Sequence, residues 1–457
     1  MTSSPSPRSL TAIVLAAGKG TRMRSDLPKV LHKVAGRTML GHVLAAVQAA
    51  GATRVGVVAE PGRADVAAEI ERQAPGAGIF AQAERLGTAH AVLAARSLLV
   101  ACGDDVIVAF GDTPLVTPET FTRLRAPLAA GAGVAVLAFE TANPTGYGRV
   151  LTQGDRVSAI REEKDASPDE RQVRLCNAGL MALSGAHALA LLERIGNDNA
   201  AGEYYLPDAV ALAVADGLSV AVVPVDEAEA QGVNDRVQLA AAEAVVQGRL
   251  RRAALLGGAT LAAPETVFLS HDTVLGRDVI VEPHVVFGPG VVVADGCTVR
   301  AFSHLADVRL GETVKVGPFV RMRGGAVLEP GAEIGNFVEL KNTRMGPGAK
   351  AAHLTYLGDA EVGAKANVGA GTITCNYDGV FKHRTTIGAG AFIGSNSALV
   401  APVTVGAQAI IGAGSVITHD VPEGALAVAR GRQVMKAGWA VRMRAQLLAL
   451  KERRRGQ

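Results

Sequence analysis

Between Ile387 and Ile417 the chain places Ile387, Ile393, Leu399, Val405, Ile411 and Ile417 six residues apart, and glycine follows four of them, at Gly388, Gly394, Gly406 and Gly412. A helix repeats near 3.6 residues and an ordinary strand at 2, so neither accounts for a period of six. A parallel β-helix does: each hexad supplies one short strand and one turn, and its aliphatic side chain points into the stack. Glycine suits the turn, where positive φ or a close backbone approach is cheap only without a Cβ. Val274, Ile280, Val286, Val292, Thr298, His304, Leu310, Val316, Met322, Leu328, Ile334 and Leu340 extend the same grid upstream, which puts His304 in an inward slot. The register then slips. Val368 and Ile387 are 19 apart where three hexads need 18, predicting one extra residue bulged near Asn376–Gly379. A glycine-rich β-sandwich with accidental spacing is the bland alternative, and this many hexads on two grids speaks against it.

A chain of 457 residues is too long for one ordinary core, so at least two domains are expected. A net charge of +3 is too slight to call for a nucleic-acid partner. Cys102, Cys176, Cys297 and Cys375 lie far apart without CxxC pairing, which indicates neither a disulfide framework nor a zinc site. The start, through Pro7, lacks the apolar segment of a signal peptide and reads as a disordered tail over residues 1–9. No apolar run approaches the ~20 residues of a membrane span. A cytoplasmic protein with no membrane partner is expected.

Thr11–Ala17 reads as a buried parallel strand running into Gly18-Lys19-Gly20-Thr21-Arg22-Met23, and strands near 54–58, 79 and 106–110 alternate with helices, one of them over 89–99. This is the pattern of a doubly wound, Rossmann-like α/β sheet, whose ligands sit outside the carboxyl ends of its strands. The first loop is placed to receive phosphate, its glycines letting backbone N–H groups approach while Arg22 and Lys29 bring positive charge. It lacks the third glycine of a dinucleotide site. Gly87 and Thr88 open a helix after a strand, where backbone groups could hold a base or a sugar. Phe110-Gly111-Asp112 sets a carboxylate at a strand's end, a natural Mg²⁺ ligand, although a turn aspartate is as common there. Residues 235–256 form an alanine-rich helical stretch whose Arg249, Arg251 and Arg252 read as a solvated face.

Leu15-Ala16-Ala17-Gly18-x-Gly20-Thr21-Arg22-Met23 followed by Leu27-Pro28-Lys29 resembles the signature of sugar-phosphate nucleotidyltransferases, and the second half resembles hexapeptide acyltransferases. Together, from about Leu10 to about Trp439, they are similar to the bacterial bifunctional N-acetylglucosamine-1-phosphate uridyltransferase and glucosamine-1-phosphate N-acetyltransferase family. The resemblance implies a nucleotidyltransferase domain over 10–235, a linker helix over 236–256 and a left-handed β-helix with a C-terminal tail over 257–457. It implies acetyl transfer from acetyl-CoA to glucosamine 1-phosphate, then uridylyl transfer from UTP to the acetylated sugar phosphate with release of pyrophosphate. Leu15, Ala16, Ala17, Gly18 and Lys29 would hold the nucleotide, with Phe110 and Gly111 beside it, and Gln82, Gly87 and Thr88 would read uracil. Gly148, Glu162 and Asn177 would bind the sugar, and Asp112 and Asn234 would hold Mg²⁺. Arg22 and Lys29 could stabilise the departing pyrophosphate. The stretch from Asn197 to Asp208 would shape the sugar pocket.

In the repeat region polar residues cluster where the hexads break. With a coil of ~18 residues, groups about that far apart stack on one face. Acetyl transfer to an amine needs a base, and imidazole, with an ordinary pKa near ~6.5, serves at neutral pH. Of 10 histidines, His353 is singled out because Glu339, Lys341, Tyr356 and Asn376 are candidate neighbours, with Glu339 a candidate to orient it. The resemblance makes His353 the general base and gives Arg323, Lys341, Tyr356 and Asn367 to the sugar phosphate. It gives Ala370, Asn376, Tyr377, Ser395, Ala413 and Arg430 to acetyl-CoA, some across a subunit boundary of a homotrimer. Gly324 stands where the family more often has proline, which would loosen the loop after Arg323. Cys375, beside this pocket, reads equally as a reactive or an inert thiol. The basic C-terminal stretch reads as a solvated tail with Trp439 packed on a neighbour. Two other readings compete: a nucleotidyltransferase whose β-helix only assembles or regulates, as in glucose-1-phosphate adenylyltransferases, and a non-enzymatic exchange-factor subunit of the same two domain types. The Gly18–Arg22 loop with Lys29 weighs against the second, and the Lys341–Tyr377 cluster against both.

Overall fold

The apolar run at the start of the chain becomes β1 (Leu10–Leu15), buried on both faces as a strand without polar alternation must be. The computed structural model describes residues 8–154 and 156–455. It divides into two compact units, one running to Ala253 and taking in Phe268–His271, the other comprising Ala254–Val267 and the chain from Asp272. In the first unit β1 is joined by β2 (Arg54–Ala59), β3 (Gly78–Ala81), β4 (Asp105–Phe110), β5 (Val134–Glu140), β6 (Arg149–Gln153), β7 (Arg156–Arg161), β8 (Leu175–Ser184) and β9 (Val220–Pro224). The order across the sheet is β9-β5-β8-β4-β1-β2-β3, with the β6–β7 ribbon attached to β8. β1 runs parallel to both neighbours, so Leu15 lies beside Val58 and Phe110 and three loops leave the sheet at one edge. β8 alone runs antiparallel to β4 and β5. Helices cover both faces, Leu40, Leu44, Phe121 and Leu124 filling one core and Val92, Leu99, Leu191 and Val210 the other.

Three local expectations change. Arg8 and Ser9 are fastened rather than part of a free tail, Arg8 to Asp105 at 2.5 Å and Ser9 to the Asp104 carboxylate at 2.8 Å; residues 1–7 lie outside the described residues. The helix expected over 89–99 is two, Thr88–Ala94 and Arg96–Val100, parted at Ala95. The helix Arg236–Leu256 does not simply turn a solvated basic face outward. Arg249 donates to the Leu115 carbonyl at 2.7 Å, and Arg251 lies over the Phe268 ring. Along the same helix the buried Gln247 both donates to the Leu269 carbonyl at 2.7 Å and accepts from its N–H at 2.9 Å, pinning the returning segment.

The second unit is a left-handed parallel β-helix of three sheets. Face I runs from Thr260–Leu261 to Leu426–Ala427, face II from Val286–Phe287 to Val416–Ile417, and face III from Val274–Leu275 to Val403–Val405. Ile387, Ile393, Leu399, Val405, Ile411 and Ile417 all point inward, as their spacing demands. A Cβ on Gly388 would stand 2.4 Å from the Ala407 nitrogen of the next coil, so close approach, not positive φ, requires that glycine.

The upstream register differs from expectation. Val281, Phe287, Val293, Val299 and Leu305 fill the early core, one residue past the expected grid, while Ile280, Val286 and His304 face outward. His304 is therefore a surface residue. The two grids merge because Leu305 and Leu310, which hold corresponding core positions on consecutive faces, are only five apart; the same shortening recurs from Leu340 to Met345 and from Leu357 to Val362. Each short corner turns on an Asp or Asn in the left-handed region, namely Asp307 (φ 54°), Asn342 (φ 48°) and Asp359 (φ 49°). Their short polar side chains tolerate that conformation. The insertion is also larger than one residue. Thr374 and Ile387, corresponding core positions on consecutive faces, are 13 apart, with residues 376–384 looped out between the strands that carry them. The helix Trp439–Arg455 closes the described chain, and no described helix is long and apolar enough to cross a membrane.

Candidate active sites

In the first unit the loops after β1, β3 and β4 wall a cavity of about 230 Å³. Leu15, Ala16, Ala17 and Gly18 form one side and Gln82, Gly87 and Thr88 another, with Lys29, Phe110 and Asp112 at the end of β4. The backbone geometry explains several of these types. Gly87 has φ 120°, and a Cβ there would stand 2.5 Å from the Tyr204 carbonyl oxygen. That space admits the segment 197–208, whose Tyr204 donates to Leu86 O at 2.7 Å and accepts from Ala89 N at 2.9 Å. The Thr88 hydroxyl accepts from Leu206 N at 2.9 Å, and Glu203 is thereby brought to the cavity wall. Gly111 is wedged between Val30 and Leu40, whose side chains lie 3.3 Å from where its Cβ would be.

Lys29 is the electrostatic centre. Its ammonium pairs with Asp112 and also donates to Asn234 Oδ1 at 3.1 Å. Asn234 is carried there because Val233 N donates to Asp112 O at 2.9 Å. Two oxygen donors from sites far apart in sequence thus converge on one cation. One carboxylate and one amide oxygen suit Mg²⁺, which takes a few protein oxygens and fills the remainder with phosphate and water. Among the described residues no group of three or more His, Cys, Asp or Glu could hold a metal, so substrate oxygens would have to complete such a site. Arg22 does not join this centre; it stands exposed on the 3₁₀ turn Thr21–Met23, outside the cavity lining.

Gly148, Glu162 and Asn177 form a second group on the β6–β7 ribbon and β8. Asn177 N donates to Gly148 O at 2.8 Å, and a Cβ on Gly148 would lie 3.1 Å from Glu162 Oε1. Burial raises the Glu162 carboxyl above the ordinary glutamate range, and nearby Asp208 and Asp165 push it the same way. Asn177 turns its own Oδ1 back to accept from Gly179 N at 3.0 Å, which fixes the amide.

In the β-helix the expected acetyl-transfer residues fall on two corners. At the corner between faces I and II, His353 Nδ1–H donates to Asn336 Oδ1 at 2.6 Å. An amide oxygen only accepts, so this bond fixes the tautomer and leaves Nε2 with its lone pair free. Asn336 sits beside His353 on the adjoining strand. Glu339, expected to orient the imidazole, instead pairs with Arg323 at 2.9 Å. Along the same corner Asn396 N donates to Ala370 O at 2.7 Å, Gly414 N to Ser395 O at 2.8 Å and Arg430 to Ala413 O at 2.7 Å. His353, Ala370, Ser395, Ala413 and Arg430 therefore form one ladder. Asn367 lies on face I, beside Lys350 of the preceding coil.

At the other corner, between faces II and III, Asp359 is the hub. It accepts from Lys341 at 3.2 Å, Asn376 at 2.5 Å and Asn342 at 2.7 Å. Burial alone would raise its pKa, but those three hydrogen bonds outweigh it and hold the carboxyl below the ordinary aspartate value. Gly358 has no side chain, and the Tyr356 hydroxyl and the Asn376 amide occupy the space where a Cβ would go. Tyr356 thus reaches across face II towards the Lys341 group. Tyr377 lies in the looped-out segment, with Lys382 Nζ 3.7 Å from its ring centroid, and Cys375 is half-buried just before that segment.

Asn336, Asp359, Arg85 and Glu203 were not given roles by sequence reasoning. The first two had a signal: Asn336 precedes His353 by 17 residues, and Asp359 stands 18 after Lys341 and 17 before Asn376, each about one coil. Glu203 had none, because its approach depends on how the 197–208 segment folds back on Gly87.

A cavity lined by a glycine turn, a lysine and a carboxylate at the carboxyl edge of a doubly wound sheet, on a chain that continues as a hexad β-helix, is the architecture of a fused transferase. Residues 12–178 match the MobA-like NTP transferase domain, and residues 272–307 and 384–419 match the bacterial transferase hexapeptide (six repeats). The chain is 67% identical over 440 residues to the Bifunctional protein GlmU of Xanthobacter autotrophicus, covering 96% of this chain and 98% of that one. It is 64% identical over 440 residues to the protein of the same name from Azorhizobium caulinodans, with the same coverage. For that of Rhodopseudomonas palustris the identity is 58% over 437 residues, covering 96% and 97%. The chain belongs to the GlmU family of bifunctional proteins and is a bifunctional transferase.

Proposed function

We propose that the β-helix acetylates glucosamine 1-phosphate from acetyl-CoA and that the N-terminal unit then joins the product to the uridylyl group of UTP, giving UDP-N-acetylglucosamine and pyrophosphate. The observation that carries the nucleotidyl reading is the cavity itself, where the glycine turn, the Gln82–Thr88 loop and the Lys29–Asp112–Asn234 centre meet. A phosphate oxygen of the sugar 1-phosphate attacks the α-phosphorus, and the bond to the β-phosphate's bridging oxygen breaks with its electron pair. Such a transfer asks the protein for position and charge neutralisation rather than covalent chemistry. Lys29 supplies one charge, and backbone N–H groups of the Leu15–Gly18 turn supply donors. Asp112 and Asn234 would hold Mg²⁺, which when bound neutralises phosphate oxygens. Arg22, exposed on its own turn, would meet departing pyrophosphate. Gly148 leaves room for a sugar ring that Glu162 and Asn177 would bind. Gln82 would read uracil.

In the β-helix, His353 Nε2 takes the proton as the sugar's amine adds to the thioester carbonyl, and the carbon–sulfur bond breaks to release the CoA thiolate. Arg323 and Lys341, now balanced by Glu339 and Asp359, would take the phosphate. The base lies on one corner and the phosphate group on another, which favours a site completed between copies of the chain. The same corner as His353 exposes stacked rings of His284, Phe302, Phe319 and Phe337, successive centroids about 5 Å apart and the three phenylalanines roughly half exposed. An apolar ladder of that length is the kind of surface a closed homo-oligomer buries, and a homotrimer with acetyl-CoA along the Ala370–Arg430 ladder fits it. These co-substrates and four unpaired cysteines suit the cytoplasm.

The test is a paired assay on wild type, His353→Ala and Asp112→Ala, following acetyl transfer from acetyl-CoA and Mg²⁺-dependent pyrophosphate release from UTP separately. Each substitution is expected to abolish one activity, by at least about a hundredfold, and to spare the other. Wild type without acetyl transfer would make the β-helix a scaffold instead.

A further inference from the structure

Arg85 belongs to no group of residues assigned above, yet it joins two of the loops that wall the nucleotide cavity to each other and to the turn after β2. It follows β3. Its Nε donates to the carbonyl of Ala17, after β1, at 2.9 Å, and its Nη2 lies 3.1 Å from Glu60 Oε1, on the turn after β2. β1, β2 and β3 are consecutive neighbours in the sheet, so one guanidinium spans both gaps between them at the carboxyl edge, where it also lines the cavity. The fork of an arginine can serve two acceptors at once in fixed geometry, which a lysine cannot.

The position matters because of what Ala17 is. Its carbonyl lies in the turn whose N–H groups are to face phosphate. A carbonyl oxygen swinging towards a triphosphate repels it, and one held by a guanidinium cannot swing. The same guanidinium ties that turn to the Gln82–Thr88 loop, so it sets the separation between the groups that take phosphate and those that read the base. We propose that Arg85, anchored by Glu60, is a positioning residue for UTP, fixing the Leu15–Gly18 turn against the base-reading loop. The inference rests on the reading of this cavity as a UTP site.

Both partners are about a third to a half exposed, so the pair adds little to stability and its loss should not unfold the unit. The experiment measures steady-state kinetics of wild type, Arg85→Gln, Arg85→Lys and Glu60→Gln in the full chain, with acetyl transfer assayed on the same preparations. The KM for UTP is expected to rise about tenfold in Arg85→Gln, less in Glu60→Gln, and Arg85→Lys should restore only part. The KM for the sugar phosphate and the acetyl transfer rate should stay within about twofold. Discrimination between UTP and CTP should fall as well, because a merely structural residue would not move a ratio of two nucleotides. A UTP KM within twofold of wild type in Arg85→Gln, or equal losses for both substrates with a lowered melting temperature, overturns the proposal. Wild type that makes no UDP-sugar would overturn the UTP reading itself, a result separable from failure of Arg85 alone.

Discussion

At Asn336 a single side chain decides which nitrogen of His353 keeps its lone pair, and so which would serve as the proposed base. Removing its amide oxygen frees the imidazole to rotate and to exchange tautomers. Asn336→Ala is expected to lower kcat for acetyl transfer by on the order of tenfold and to change the pH–rate profile, with uridylyl transfer unchanged. Equal activity and an unaltered profile would show that the imidazole is held by something else. Glu162 makes the opposite trade. Its carboxyl is raised by burial and by Asp208 and Asp165, so ionising it costs more in the folded chain than in the unfolded one. A group with a raised folded pKa contributes stability in full below its unfolded value, about 4.3 for glutamate, and loses that contribution as pH climbs through the raised value. Glu162→Gln should therefore melt above wild type at pH 8, with the difference closing in acid, while sugar binding weakens. A difference that is the same at both pH values would mean that the carboxylate charge is not the cause.

At the scale of elements, the coils depend on close stacking at glycines and on Asx corners. A methyl at Gly388 has only the backbone of the next coil to meet, at 2.4 Å. Gly388→Ala should cost about 2 kcal/mol in the β-helix, read as a lower melting transition of that unit with the uridylyl activity retained. A neutral result would mean that the coils breathe more than their spacing suggests. The hexad grid from Ile387 to Ile417 was legible because every step there is six. Upstream it was not, since dropping one residue at Asp307, Asn342 or Asp359 alters the phase, and a run of Val, Ile and Val supplies apolar residues at two adjacent phases. Val274, Ile280 and Val286 looked inward only because Leu275, Val281 and Phe287 beside them were equally apolar.

Across the molecule, the first unit includes a segment that the sequence puts beyond its linker helix. Phe268–His271 returns to it, and the buried Gln247 amide is answered twice by Leu269. A fragment ending at Ala253 should therefore be less stable than one ending at His271, by about 2 kcal/mol for two lost hydrogen bonds to a buried amide, measured by urea denaturation. Equal midpoints would show that water satisfies Gln247 as well.

The sequence by itself determined the two architectures, since an apolar strand run with alternating helices and a six-residue period each admit one economical solution. It also determined the turn chemistry of the nucleotide loops, where glycine and lysine types stand next to one another in the chain. Only the tertiary structure decided which distant groups meet. Asn234 reaches Lys29 through a backbone bond from Val233 to Asp112, Glu203 arrives because Gly87 has no Cβ, and His353 answers to Asn336 rather than Glu339 because the coil length there is 17 residues and the pairing register follows it. Local pattern fixes what each segment becomes. Which side chains converge depends on register and loop closure, and a one-residue change in either carries a functional group to another face.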